Sequence, residues 1–210
     1  MVSYYYVVVD RREFLLASLA AAPDSPVEVP VRVVIDRDAK WWPGQLKDFS
    51  DRIWPECARD FLRGGVALKT SRGEGRVERP NGREPVISGL DPAALNAVIT
   101  ERIPEEWDRG RAVAGVTTLY RDYHLCLIAL RRAHGNRIPF VAVNTCTHEL
   151  LHAVLGDIFE SKPKGMTGEW RESRIDAIAT KLWWWGGGGA IRESARVYVE
   201  RLKASYYPRT

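Results

Sequence analysis

With 210 residues, of which 45% are hydrophobic and 28% charged, the chain has the composition of an ordinary folded domain with enough length for a substantial core, and disorder is excluded as the default. Its 31 basic and 27 acidic residues leave a net charge of +4 and are scattered along the chain, with no basic run interleaved with aromatics, so a nucleic-acid partner is not expected. No apolar stretch reaches membrane-spanning length, and three cysteines without a C-x-x-C pair (Cys57, Cys126 and Cys146) argue against a disulfide framework.

Residues 1–30 carry two competing readings. Tyr4 to Val9 is aromatic and β-branched like a strand, and Asp10 can cap a helix from Arg11 to Ala22. The same residues, Arg11-Arg12-Glu13-Phe14-Leu15-Leu16 followed by Ala17 to Ala22, resemble a twin-arginine export signal with a cleavage region at Ala20-Ala21-Ala22. The first reading keeps the protein in the cytoplasm; the second exports it. Three prolines make Pro23 to Pro30 a linker, and residues 31–210 are expected to form one domain with an upper half over 31–152 and a lower half over 153–210.

Val31 to Ile35 predicts a strand, broken off by Trp41-Trp42-Pro43-Gly44. Gln45 to Leu62 places Leu46, Phe49, Ile53, Trp54, Ala58, Phe61 and Leu62 at helical spacing despite Pro55, and Gly64-Gly65 ends that helix. A strand follows over Val66 to Thr70, and Ser71 to Pro85, rich in Gly, Arg and Pro, is a loop or an irregular hairpin. Asp91-Pro92 has the cap and first-turn proline of a helix running to about Arg102. Ala112 to Leu119 and His124 to Leu130 read as strands joined by a turn at Tyr120-Arg121-Asp122-Tyr123.

The apolar run from Phe140 to Phe159 predicts a helix and contains Thr147-His148-Glu149-Leu150-Leu151-His152. Residues four apart lie one turn above each other, so His148 and His152 can aim ring nitrogens at one ion, and two imidazoles at that spacing suit zinc. Glu149 stands beside that point, where a carboxylate can act as a general base. Cys146, two residues before His148, falls on another side of the helix and reads as a small buried thiol. Lys162 to Gly168 is a predicted loop and Glu169 to Trp185 a helix carrying Glu172 and Asp176. Trp183-Trp184-Trp185 cannot share one helix face and Gly186 to Gly189 cannot continue the helix, so this segment is an aromatic plug with a hinge, or a platform for carbohydrate or peptide. Ala190 to Ala204 is a closing helix.

The H-E-x-x-H pattern resembles the signature of zincin-type zinc peptidases. That resemblance implies one Zn²⁺ per chain held by His148 and His152, with Glu149 as the base. Nineteen residues separate His152 from Glu172, and Asp176 follows four later, which is similar to the gluzincin arrangement. By that resemblance Glu172 is the third ligand and Asp176 orients His148 from behind. The order of strands and helices resembles the upper half of zincins, particularly metzincins, but the positions of the metzincin glycine and third histidine hold Leu155 and Ile158. Asp157 and Glu160 remain alternative ligands. The implied protein is an α+β zincin-like fold, a mixed twisted sheet with an active-site helix and a small helical C-terminal subdomain. Its implied activity is zinc-dependent hydrolysis of peptide or protein substrates, which strand His124 to Leu130 would bind by strand addition if it lies at the sheet edge. Tyr120, Tyr123, His124 and the pair Tyr206-Tyr207 are equivalent candidates for an oxyanion donor. Two alternatives stand beside it: a non-catalytic zincin-fold protein that binds zinc or a partner, and a metal-free cell-surface binding protein that uses its tryptophans, with the H-E-x-x-H a chance pattern and Glu172 and Asp176 on a solvated helix face with Arg171 and Arg174.

Overall fold

A computed structural model describes residues 25–78, 85–104, 114–130, 139–155, 175 and 189–206. The expectations for the leader, for Asp157, Glu160, Glu172 and Asp176, and for the tryptophans at 183–185 lie outside the described residues. The molecule is α+β, and a five-stranded mixed sheet is its organising layer.

The sheet is built from β1 (Val27–Asp36), β2 (Val66–Gly75), β5 (Leu95–Thr100), β6 (Gly115–Tyr120) and β7 (Tyr123–Ala129) in the order β2-β1-β5-β7-β6, with a separate two-stranded hairpin of β3 (Val77–Glu78) and β4 (Val86–Ile87). Four strands run parallel, and β6 is antiparallel to β7 at one edge. Alternation along the strands divides two cores. Val29, Val31 and Val33 of β1 and Cys126 and Ile128 of β7 face the helices. Val34, Leu125 and Leu127 face the other way, against Val77, Ile87, Ile103 and Tyr120. Asp36, fully buried at the end of β1, ties these parts together by accepting bonds from Thr100 Oγ1 (2.8 Å) and from the backbone N–H of Val77 (3.3 Å).

Between β1 and β2 the predicted helix forms as α1 (Gln45–Asp48), a π turn at Phe49–Ile53 and α2 (Trp54–Arg63). Pro55 has no N–H to donate, and in the turn just before it the ladder widens, the Trp54 N–H reaching back to Phe49 O. Phe49, Ile53, Trp54, Cys57 and Phe61 still fall on one buried stripe. Gly65, with φ +79°, makes the left-handed exit that returns the chain to β2. Two further helices, α3 (Pro139–Val154) and α4 (Gly189–Tyr206), pack on the same face of the sheet. In α4, Ile191, Ala195, Tyr198 and Leu202 are buried at helical spacing. Among the described residues no helix is long and apolar enough to cross a membrane.

Four expectations are corrected. The linker placed at Pro23 to Pro30 already belongs to β1 from Val27 onward; Pro30 is tolerated because β5 pairs only Val31 to Ile35, leaving one side of β1 without a partner strand at that point. The loop or irregular hairpin placed at Ser71 to Pro85 begins as the second half of β2, paired with β1 as far as Gly75, and continues into β3, which pairs antiparallel with β4. The helix placed at Asp91 to Arg102 is strand β5. Asp91 does cap a turn, its Oδ1 accepting from the N–H of Ala93 (2.9 Å), but the turn ends at Ala94, and Leu95 to Thr100 are all buried between β1 and β7. Lastly, the condition under which His124 to Leu130 would take substrate by strand addition is not met: β7 is interior, and β6 takes the edge.

Candidate metal centre

α3 opens on Pro139, whose missing N–H costs nothing in a first turn, and runs through the H-E-x-x-H residues to Val154. Cys146, Leu150, Leu151 and Val154 bury one stripe of it against the sheet and the other helices. That burial fixes the rotation of the helix, with each fully buried leucine contributing about 1.5–3 kcal/mol, and leaves His148 and His152 half-buried on the flank.

The two imidazoles meet one turn apart. Their ring centroids are 4.6 Å apart with planes inclined at 70°, and His148 Nε2 and His152 Nε2 stand 2.8 Å from each other. Two ring nitrogens this close are stable only with a shared proton or a shared cation between their lone pairs. Tetrahedral zinc with Zn–N bonds of about 2.0–2.1 Å separates its two nitrogens by about 3.3 Å. A widening of about half an ångström, within reach of small side-chain rotations, converts the observed pair to that geometry. The two imidazoles can thus reach a spacing that suits two of the ion's ligands. Among the described residues no group of three or more His, Cys, Asp or Glu side chains is arranged to hold a metal, and the residues from which a third ligand was expected lie outside them.

Glu149 follows His148 and so projects about 100° further around the axis, toward β6. Its side chain is only 6% exposed. The Thr117 hydroxyl lies 2.6 Å from Glu149 Oε2 and 2.8 Å from the Glu149 backbone carbonyl. The Cys126 thiol donates to that same carbonyl at 3.3 Å. Gly115 lies under the carboxylate, where a Cβ would stand 2.6 Å from Glu149 Cδ. Neither Thr117 nor Gly115 was found by reading the sequence. Strand alternation puts them on one face, but nothing local says that a helix with a buried glutamate lies over that face.

Of the oxyanion candidates, Tyr120 is buried on the face of the sheet away from α3, where it donates to Pro85 O at 3.0 Å. His124 is turned toward α4, its ring edge-on to Tyr198 at 5.3 Å, and burial with the charge of Arg201 holds its pKa below the usual histidine value. All three cysteines are free and buried; burial pushes the Cys57 thiol up to about 12 and raises Cys126 and Cys146 as well. Comparison with protein-family models, with curated proteins and with solved structures returns no match for this chain.

Proposed function

We propose that the protein is a zinc-dependent peptidase of the zincin type, with His148, His152 and Glu172 as metal ligands, Asp176 behind His148, and Glu149 as general base. The observation that carries this reading is the convergence of His148 Nε2 and His152 Nε2 on one point beside a buried, hydrogen-bonded glutamate. The order of elements agrees with the resemblance in part: strand, helix and strand come first and two antiparallel strands lead into the H-E-x-x-H helix, while the β3–β4 hairpin and strand β5 stand between them where a loop or irregular hairpin and a helix were expected.

Zinc, when bound, supplies a Lewis acid for the scissile carbonyl and a water whose pKa is lowered to about 7. The protein's own groups do the rest. Glu149 accepts the proton of the attacking water on its carboxylate and returns it to the departing amine. The edge of the sheet beside α3 offers the binding surface that was expected of β7. The Ala129 N–H donates to Ala114 O at 2.8 Å, and antiparallel alternation from that pair turns the backbone groups of Gly115, Thr117 and Leu119 away from β7. Among the described residues no strand pairs with that side of β6, so an extended peptide can add there.

The test separates metal from chemistry. Purified protein is expected to hold close to one zinc per chain, and His148→Ala or His152→Ala to lose it. Glu149→Gln should keep the zinc and lose hydrolysis of a denatured protein substrate, because an amide cannot accept the proton. Zinc retained by the double histidine variant, or undiminished turnover by Glu149→Gln, would sink the assignment.

A further inference from the structure

We propose that Gly115 and Thr117 of the edge strand are a positioning pair for Glu149, forming a seat that fixes where its carboxylate stands relative to His148 and His152. The catalytic consequence rests on the peptidase reading; the seat itself rests on geometry alone.

Gly115 and Thr117 are two residues apart in β6 and share the face that α3 packs on. Thr117 has one hydroxyl proton, and of the two Glu149 oxygens it approaches, the carboxyl Oε2 is the nearer acceptor, at 2.6 Å against 2.8 Å for the backbone carbonyl. The Cys126 thiol covers the Glu149 carbonyl that Thr117 also approaches, so backbone and side chain of residue 149 are both tied to the sheet. Gly115 acts by omission. A Cβ there would lie 2.6 Å from Glu149 Cδ, nearer than real Cβ contacts come, so any larger residue pushes the carboxylate off the strand.

A glutamate on a helix flank ordinarily samples several rotamers, whereas this one is held at both ends. A base placed 1 Å wrong can cost about 100-fold in rate, which is the scale of effect such a seat controls. A donor that merely satisfied a buried carboxylate would stabilise the fold without touching turnover per bound substrate.

The experiment uses the full chain loaded with zinc. Thr117→Val removes the donor at nearly constant shape, Thr117→Ser restores it, and Gly115→Ala fills the space under the carboxylate. With unchanged zinc content and KM, Thr117→Val and Gly115→Ala are expected to lower kcat about 10- to 100-fold, and Thr117→Ser to recover most of it. Unchanged kcat in Thr117→Val, or a loss in KM alone, overturns the positioning role. Should the unmodified protein prove inactive, the peptidase reading fails, and the seat is still read from unfolding temperatures. Gly115→Ala and Thr117→Val are expected to lower Tm in the chain carrying Glu149 and to do so much less in a Glu149→Ala background. Equal losses in both backgrounds overturn the seat, and Thr117→Val decides alone if Gly115→Ala does not fold.

Discussion

Cys57, Cys126 and Cys146 meet beneath α3, each without solvent exposure, and the thiolate that would make any of them a nucleophile is disfavoured by burial before any other influence acts. With Cys57 displaced to about 12 and the other two also raised, essentially none of the three is ionised at neutral pH. Native protein is therefore expected to resist iodoacetamide at pH 8, and protein in denaturant to take up three equivalents, one for each cysteine of the chain; rapid labelling of the native form would mean that the core under α3 opens. The inertness of Cys146 was legible in the sequence because a two-residue offset from His148 points a side chain elsewhere on a helix. The histidine pair was legible for the complementary reason, that a four-residue offset brings side chains together. The seat under Glu149 was not, since Thr117 is 32 residues from it and only the folded sheet makes them neighbours.

Elements were readable where periodicity was unambiguous and misread where burial on both faces erased it. Gln45 to Leu62 shows a single apolar stripe and is helical apart from its π turn. Leu95 to Thr100 is buried at every residue because strands flank it on either side and both faces are covered, and a continuous apolar run does not distinguish strand from helix. Whether β7 lies at the edge was not legible in the sequence, for a topological reason: β5 pairs with β7, across sequence, and β6 lies outermost. The contact between β7 and α4 carries its own prediction. His124 lies edge-on to Tyr198 with Arg201 nearby, and burial first, then that cation, favours its neutral form in the folded state. The unfolded chain, with an ordinary histidine pKa of about 6.5, binds the proton more readily. The stability His124 contributes is thus complete above that value and is lost as the pH falls from about 6.5 toward the lower folded pKa. Denaturant midpoints measured between pH 7.5 and 5 should fall for the unmodified protein, and His124→Gln should lose less over the same interval; parallel slopes would show that His124 titrates alike in both states.

At the scale of the whole molecule a third ligand for the proposed zinc has to come from residues beyond α3. The described helix ends at Val154, with a last bond from the Leu155 N–H to Leu151 O at 2.7 Å. On a continued helix Asp157, five residues past His152, would stand about 140° around the axis from it, and Glu160, eight past, about 12 Å along it. Either would need the chain to turn back to the histidine pair, and what favours Glu172 over both is the burial of Ile175. Ile175 is helical, fully buried, and belongs to the same core as Cys146, Leu150, Leu151 and Val154 of α3. Glu172 precedes it by three residues and Asp176 follows it by one, so in the predicted helix Glu169 to Trp185 the two carboxylates lie about 40° apart around the axis, both to one side of the residue that anchors the segment against α3. We expect Glu172→Ala to weaken zinc affinity far more than Asp157→Ala or Glu160→Ala, with Asp176→Ala costing an intermediate ~10- to 100-fold as the partner of a ligating histidine. Competition with a chelator measures this, and a Glu172→Ala affinity equal to that of the unmodified protein would remove Glu172 from the metal while leaving the His148–His152 pair standing. Ile175→Ala adds a control on the route itself: it opens a cavity costing about 2–5 kcal/mol in stability. If the anchoring argument is right, it also weakens zinc binding, whereas Leu202→Ala, an equally buried deletion on α4, does not.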